Sequence, residues 1–352
     1  MVGAHVTDAW TRVDDRQRQL YGYTVIIAGL AAPLFLFLAG LTLSMAASIR
    51  ANTVGHRAAA TMALERGVQI FTLAFLFRLQ SQLLGWGPLV NFLKVDILNV
   101  MGVAMVAAAL LWGLSANRIV RIALFAIATA AIAMATPPVR QWAVLALLPD
   151  PIEAYIRPLA GRTNFALFPW AAFLIGGAIA GELIAAARTE RDEWRVQHGL
   201  LLAGVGGGVL AYALSFQPSI YSNANFWTSS PTFFFMRLGL NTALLPIAWW
   251  IDRFHLYIRD VAARFSRRLP ADVPGRVITT LGRSSLFVYW IHVEMAYGSM
   301  ALPLRRALPV ELSLIGTVLL CALLYWLVRL KDYLMQGVTL PRPLRILSPV
   351  LK

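Results

Sequence analysis

Long apolar stretches and short polar segments alternate along almost the whole chain. Nine stretches are long and apolar enough to cross a bilayer, which takes roughly 20 residues, and each is bounded by charged residues, Pro or Gly. Inside hydrocarbon every backbone N–H and C=O must be satisfied within its own segment, so we expect helices and not strands. The predicted spans cover residues 21–49, 66–85, 94–115, 119–136, 165–187, 198–216, 233–251, 281–302 and 311–330.

The composition agrees with this pattern. The chain is 59% hydrophobic and 14% charged, whereas a soluble domain carries about 25% charged residues, so most side chains meet lipid or other helices. A net charge of +14 would suit a nucleic-acid-binding protein, but the basic residues lie in short blocks between apolar runs. We therefore exclude nucleic acid as a partner. The sequence predicts an all-α, polytopic integral membrane helix bundle, embedded in the lipid bilayer as a single domain over residues 1–352.

The basic residues also predict the orientation, because cytoplasmic loops are enriched in Lys and Arg. Alternate loops hold 19 and 9 of the 31 basic residues, and the richer set is assigned to the cytoplasm together with the C-terminus. The richness in Ala, Gly and Arg indicates a bacterial chain, hence the bacterial inner membrane. The richer set is 50–67, 116–121, 188–197, 252–280 and the C-terminal tail; the other is 11–20, 86–94, 137–164, 217–232 and 303–310.

The first ten residues, MVGAHVTDAW, have the pattern of the last turns of a helix but are too short to span the membrane. Either they dip into the membrane, or the translated start lies further upstream; we favour the second interpretation and treat the segment as the C-terminal end of a truncated first helix. The single cysteine, Cys321, excludes an intrachain disulfide, and no metal-ligand spacing surrounds it.

Two histidines are the candidate catalytic residues. His5 and Asp8 are three apart and share a helical face, and a carboxylate beside an imidazole supports a general base. His292 lies near the middle of its predicted span, on one face with Ser285 and Tyr289, while Glu294 points to nearly the opposite side. Each histidine has a structural alternative: an interfacial hydrogen bond for His5, and an interhelical hydrogen bond for His292.

Four further polar residues lie at membrane depth, where ionisable groups are costly and usually functional. Arg78 and Asp96 flank a short turn and are predicted to pair, as either a structural or a catalytic ion pair. Asn99 lies one turn beyond Asp96, and Arg237 either binds an anionic or polar acceptor or extends to the interface. The Gly-rich segment 204–209, together with Gly176, Gly177 and Gly181, indicates close helix packing.

The outer loop 217–232 is uncharged and rich in hydroxyl, amide and aromatic groups. This composition suits binding of a sugar-like group; an interfacial aromatic belt is the alternative.

Five segments together resemble the bacterial relatives of heparan-alpha-glucosaminide N-acetyltransferase, within the transmembrane acyltransferase group that also holds the acyltransferase-three family. Each segment alone is weakly specific, but their order and spacing extend over nearly the whole chain. They are PLFLFLAGLTLSM (33–45), KVDILNVMG (94–102), FPWAAFLIGGAIAG (168–181), FWTSSPTFFFMRLG (226–239) and LGRSSLFVYWIHVE (281–294).

The resemblance implies an acetyl-CoA donor entering from the cytoplasm and an acceptor on the other side. We expect no metal, because the sequence contains no HExxH or CxxC motif. It implies that His5 occupies the polar position of a catalytic motif at the outer end of the first helix. It also implies that Ser285, Tyr289 and His292 form the late SxxxxYxxH element. By comparison with the family, we expect the first helix, with its Arg-Gly element, to lie upstream of Met1. The chain has no counterpart in 11–20 of the histidine that the animal enzyme carries in its first outer loop, so the acceptor need not be glucosamine.

The resulting hypothesis is a membrane acyltransferase that moves an acetyl or other short acyl group to an amine or hydroxyl of a sugar or glycan. His5, assisted by Asp8, would be the base and His292 an oxyanion donor or a structural residue, with basic side chains at the inner helix ends binding the phosphates of acyl-CoA. Those candidates are Arg50, Arg66 and Arg283. A proton-coupled transporter or flippase and a subunit without chemistry are the rival hypotheses, and homodimer formation is left open.

Overall fold

The computed structural model describes residues 1–85, 92–264, 273–338 and 341–351. Over these residues the chain is helical and contains no β-strand, only two isolated bridges. The helices are α1 (Val2–Trp10), α2 (Gln19–Val54), α3 (His56–Gly85), α4 (Ile97–Gly113), α5 (Arg118–Gln141), α6 (Asp150–Ile156), α7 (Leu167–Ile184), α8 (Glu190–Leu214), α9 (Pro231–Arg264), α10 (Val273–Arg283), α11 (Ser285–Tyr297), α12 (Val310–Leu334) and α13 (Ser348–Leu351).

The predicted class, a polytopic helical membrane protein, is confirmed. Seven helices in the described part of the chain are long and apolar enough to cross a membrane, namely α2, α3, α5, α7, α8, α9 and α12. The predicted span 94–115 corresponds to α4, a shorter apolar helix of 17 residues. The predicted span 281–302 is divided at Ser284, which has non-helical backbone angles, so α11 has 13 residues. Ser284 is buried, and its hydroxyl accepts a 3.0 Å hydrogen bond from Lys331.

Two polar segments predicted as loops are largely helical. Only Gly55, with φ of +85°, separates α2 from α3, so most of the predicted loop 50–67 belongs to these two helices. In the predicted loop 252–280, α9 continues to Arg264 and α10 begins at Val273. Arg and Ala favour helix as strongly as apolar residues do, so the helices run on past the apolar stretches that delimited the predicted spans.

The chain divides into two compact units. The first comprises Met1–Ala32, Leu76–Leu89 and Arg268–Lys352, and the second comprises Pro33–Phe75 and Val90–Arg267. The single domain predicted over residues 1–352 stays a prediction.

The core of the first unit joins α1 to α11 and α12. Trp10 is buried, and its indole N–H donates a 3.1 Å hydrogen bond to the Ala296 carbonyl of α11. A Cβ at Gly316 of α12 would lie 2.8 Å from the Trp10 ring, so only glycine lets α12 approach this closely. These contacts set the position of α1, which carries His5 and Asp8.

The core of the second unit contains close backbone contacts between α2 and α7. A Cβ at Gly40 would lie 1.8 Å from the Leu174 carbonyl oxygen, and one at Gly177 would lie 1.9 Å from that of Phe37. The predicted packing role of Gly176, Gly177 and Gly181 is therefore confirmed. Within the Gly-rich segment 204–209 the prediction holds for Gly204 but is wrong for Gly206 and Gly207, which have no atom within reach of a Cβ.

A buried ion pair also stabilises the second unit. Glu182 at the end of α7 is fully buried, and Arg121 donates two hydrogen bonds to it, of 3.1 and 2.6 Å. Ser44, Ser48 and the Trp112 indole donate to its other oxygen at 2.8, 2.6 and 2.7 Å. A carboxylate with this many donors has no spare acceptor position, so we interpret the cluster as structural. Arg121, which lies in the predicted cytoplasmic loop 116–121, belongs to this cluster.

Candidate active site

The short helix α1 presents His5 and Asp8 near the N-terminus of the chain. Their spacing predicts one helical face, and α1 spans both residues. Just beyond α1, the backbone pairs with residues 306–308: Leu308 donates to the Trp10 carbonyl at 3.0 Å, and Arg12 donates to the Leu308 carbonyl at 2.8 Å. The end of α1 is thereby held beside the segment that follows α11.

Tyr297, the last residue of α11, links the two residues of α1. Its hydroxyl lies 3.3 Å from Nδ1 of His5 and donates a 2.7 Å hydrogen bond to the Asp8 carboxylate. Because the Tyr297 proton is directed at Asp8, the hydroxyl oxygen accepts from His5, and His5 then carries its proton on Nδ1. The lone pair of the ring is therefore on Nε2. Arg16 forms a 3.8 Å ion pair with Asp8, so the exposed carboxylate also has a cationic partner.

His292 lies directly beside His5, with the two ring centroids 5.2 Å apart and the planes tilted by 46°. It is 1% exposed, and its Nδ1 is 2.6 Å from the Val288 carbonyl oxygen. A carbonyl only accepts hydrogen bonds, so Nδ1 carries the proton. Nε2 is then an acceptor, and this buried atom has no hydrogen-bond partner within the described residues. The structure thus brings the two predicted catalytic histidines together.

The last turns of α3 hold α11 in place. Phe77 packs against the rings of Tyr289 and Trp290, with centroids 5.9 and 5.3 Å away, and the Trp290 indole donates to the side chain of Gln80. Tyr289 is buried, and its ring centroid is 5.6 Å from that of His292, as the predicted polar stripe requires. Ser285 is different: it is exposed at the start of α11, because the chain bends at Ser284 and turns that end outward.

Glu294, which helical spacing places on nearly the opposite side from His292, has different neighbours. Ser81 hydrogen-bonds to its carboxylate, and Arg78 acts on it electrostatically. Arg78 belongs to the first unit and Asp96 to the second, so their predicted pairing stays a prediction.

Asp96 and Asn99 have a clear local role. Asp96 caps α4: its side chain accepts from the backbone N–H of Asn99 and, at 2.8 Å, from that of Ile97, while the Asn99 side chain accepts from the Asp96 backbone at 3.1 Å. This reciprocal arrangement is a capping box. The Asn99 amide also donates to the Tyr155 hydroxyl at 3.2 Å.

The predicted donor-binding arginines lie in both units. Arg50 and Arg66 belong to the second unit, and Arg50 is close enough to act electrostatically on Arg66. Arg283 is exposed at the end of α10 in the first unit. Arg237 lies over the face of Phe233, 4.1 Å from its ring centroid. Among the residues that the structure describes, no group of acidic, His and Cys side chains could hold a metal ion.

Sequence reasoning missed Tyr297 and the buried pair of Glu182 and Arg121. Tyr297 lies five residues after His292 at the end of the same helix, a spacing that places it off the polar stripe, and nothing in the local pattern identifies its partner in α1. Glu182 had a usable signal, since a lone carboxylate directly follows a long apolar stretch.

Residues 1–218, well over half of the chain, match the family model described as "Heparan-alpha-glucosaminide N-acetyltransferase, catalytic". The chain belongs to this family. The matched part extends from α1 through α8, so it includes His5 and Asp8, while His292 and Tyr297 lie beyond it. The predicted resemblance to heparan-alpha-glucosaminide N-acetyltransferase is thus confirmed, and membership supports a membrane transferase. Comparison with curated proteins and with solved structures found no match.

Proposed function

We propose that the protein transfers an acetyl or other short acyl group from acyl-CoA to an amine or hydroxyl acceptor, with His5 as the general base. The observation that carries this proposal is the hydrogen-bonded series from His5 through Tyr297 to Asp8, next to the buried imidazole of His292. Family membership supports the reaction class, and the two adjacent imidazoles supply the proton acceptor that acyl transfer requires.

The proton follows a defined route. His5 accepts the proton of the acceptor amine or hydroxyl at Nε2 as the acceptor atom bonds to the acyl carbonyl carbon. The imidazolium is stabilised by the Asp8 carboxylate through the hydroxyl of Tyr297. When the carbon–sulfur bond breaks, His5 returns the proton to the leaving sulfur, so the products are the acylated acceptor and CoA. General base catalysis of this kind contributes roughly 10²–10⁴-fold.

His292 has a different part in this scheme. Its Nδ1 proton is committed to the Val288 carbonyl, so donation to an oxyanion would require the charged imidazolium form. As a neutral ring it offers an acceptor atom, Nε2, beside His5. We assign it the positioning of the acceptor, by accepting a second hydrogen of an acceptor amine or, where the acceptor is a hydroxyl, the hydrogen of a neighbouring hydroxyl.

Basic side chains meet the phosphates of the donor. Arg50 and Arg66 fit this use, because their positive charges lie close enough together to act on one another electrostatically. Arg283 is the candidate in the other unit. The donor is expected to arrive from the cytoplasm and the acceptor, a sugar or glycan, from the opposite side of a bacterial inner membrane.

The test uses the full chain, purified in detergent and incubated with labelled acetyl-CoA and a series of amino sugars and sugars. We expect an acylated product and stoichiometric CoA thiol, both lost in His5→Gln while acetyl-CoA binding persists. Binding without thiol release for any acceptor would contradict the proposal. Absence of acetyl-CoA binding, combined with proton-coupled sugar uptake in liposomes, would instead identify a transporter.

A further inference from the structure

A cavity of about 300 Å³ lies in the second unit, where α5 ends and α7 and α9 begin. Arg140 near the end of α5 and Arg237 in the second turn of α9 both line it. Trp170 and Trp227 also line it, and Asn164 and Ser230 are polar residues of the lining.

Neither guanidinium at this cavity is paired with a carboxylate in the described part of the chain. Nη2 of Arg140 lies 3.4 Å from the Phe168 carbonyl, and its Nε is buried with no hydrogen-bond partner among the described residues. Arg237 lies over the face of Phe233, a cation–π contact that does not use its N–H groups as donors to an oxygen atom. Two arginines without a carboxylate partner in the described part of the chain therefore line one aromatic-walled cavity.

The neighbouring arginines of the same loop region show that acidic partners are available there. Arg157 pairs with Glu153, and Arg162 pairs with Asp150 at 3.1 Å. The acidic side chains of this segment thus neutralise other arginines and leave Arg140 and Arg237 uncompensated. Charges that are desolvated without a partner are costly, so this arrangement favours an anion supplied from outside the protein.

We propose that this cavity binds a small phosphate monoester carried on a hydroxylated ring. A phosphate monoester carries about −1.5 to −2 charges at pH 7, which balances two guanidiniums, whereas a carboxylate or phosphodiester leaves one positive charge uncompensated. Guanidinium groups also match phosphate oxygens with paired hydrogen bonds.

The size and walls of the cavity define the rest of the ligand. Its volume is at the small end of ligand pockets, which measure about 300–1,000 Å³, so it accommodates one ring and its phosphate and excludes a glycan chain. The indoles of Trp170 and Trp227 offer faces for a sugar ring, and Asn164 and Ser230 offer hydrogen bonds to its hydroxyls. The residues that line the cavity include none of those assigned to acyl transfer, so binding here can be tested without that activity.

The test is calorimetric titration of the purified full chain with glucose 1-phosphate. Arg140→Gln and Arg237→Gln should each weaken binding ~10-fold or more, because each variant loses charge-assisted hydrogen bonds to the phosphate. Arg162→Gln, which removes a paired arginine of the same region, should leave the affinity unchanged. Arg237→Lys keeps the charge and should bind between wild type and Arg237→Gln, which separates loss of the site from loss of the fold.

Any one of four results would overturn the proposal: equal affinity for neutral glucose, wild-type affinity in both glutamine variants, equally tight binding of glucuronate, or equally tight binding of phosphatidylglycerol vesicles. Competition arms identify the source of the phosphate. If inorganic phosphate competes as strongly as the sugar phosphate does, the anion site is supported, and its ligand is free phosphate. If CoA competes but 3′-dephospho-CoA does not, the anion site is supported, and its ligand is a nucleotide phosphate.

Discussion

The hydroxyl of Tyr297 donates a 2.7 Å hydrogen bond to the carboxylate of Asp8, which is 289 residues away in the chain. The same hydroxyl lies 3.3 Å from His5, so one phenol joins the imidazole to the carboxylate. Enzymes stabilise a transient imidazolium by hydrogen-bonding the base to a group that is itself held by a negative charge. In this protein the intermediary is a tyrosine contributed by another helix.

The first prediction concerns this phenol. In Tyr297→Phe the ring remains but the connection between His5 and Asp8 is lost, so kcat should fall ~10-fold or more because a hydrogen bond to a charged group contributes about 1.5–3 kcal/mol, while KM changes little. The acid limb of the pH–rate profile should also move to lower pH, because the imidazolium loses the support of the carboxylate. Tyr333→Phe, at a tyrosine that is 71% exposed, is the matched control. An unchanged pH profile in Tyr297→Phe would show that the hydroxyl has only a structural role.

The second prediction separates the two histidines. His5→Gln should lower kcat by roughly 10²–10⁴-fold with acceptor KM nearly unchanged, because the base is lost while the binding groups remain. His292→Gln should mainly raise the acceptor KM, since its Nε2 is proposed to position the acceptor. Steady-state kinetics over a range of acceptor concentrations measures both effects. The opposite assignment, with kcat lost only in His292→Gln, would make His292 the base.

The sequence predicts the membrane-spanning class and the nine apolar segments because both depend on local composition. It does not predict the break at Ser284, whose hydroxyl is bonded to Lys331 47 residues further along the chain. The same distinction between local and long-range features applies to the candidate active site. The polar stripe of Tyr289 and His292 follows from helical spacing within one segment, whereas the role of Tyr297 depends on packing α11 against α1. Spacing alone cannot predict which residues meet when they come from opposite ends of the chain.

The third prediction tests the buried carboxylate of Glu182. Glu182→Gln keeps the shape but leaves the charge of Arg121 uncompensated, and removal of one partner from a buried pair typically costs about 3–5 kcal/mol. Glu190→Gln is the control, because Glu190 pairs with Arg253 at 2.7 Å but its side chain is 68% exposed; exposed pairs contribute about 0–1 kcal/mol. Unfolding by SDS in mixed micelles gives both free energies of unfolding. Equal stability of the two variants would argue against the structural role of the cluster.

The fourth prediction compares two glycines of apolar helices. Gly177→Ala places a methyl group 1.9 Å from the Phe37 carbonyl oxygen, a contact that only separation of α2 and α7 can relieve. We expect a strong loss of folded protein in detergent, measured by size-exclusion chromatography and thermal melting. Gly206→Ala adds the same methyl group where no atom lies within 4 Å, and alanine favours helix over glycine by about 1 kcal/mol. It should therefore be neutral or stabilising, and a melting temperature lowered as much as in Gly177→Ala would refute the packing argument.

The fifth prediction concerns pH and the carboxylate of Asp15, which caps the start of α12. Burial opposes its charge, but the Val310 backbone N–H at 3.0 Å, together with Arg12 and Arg18, outweighs that effect and lowers the pKa of Asp15 below its ordinary value. An aspartate in the unfolded chain titrates near pH ~3.9. The contribution of Asp15 to stability is therefore complete above that pH and is lost as the pH falls through the lower pKa of the folded state.

Melting temperatures of the wild type and of Asp15→Asn, measured from pH 6 downward, check this expectation. The variant should melt lower at pH 6, where the charged cap is intact in the wild type, and the two curves should converge as Asp15 becomes protonated. Asp14→Asn changes the neighbouring exposed carboxylate and should run parallel to the wild type at every pH. A difference between the wild type and Asp15→Asn that stays constant down to the lowest pH would show that the charge of Asp15 does not stabilise the fold, because only an ionised group can lose its contribution on protonation.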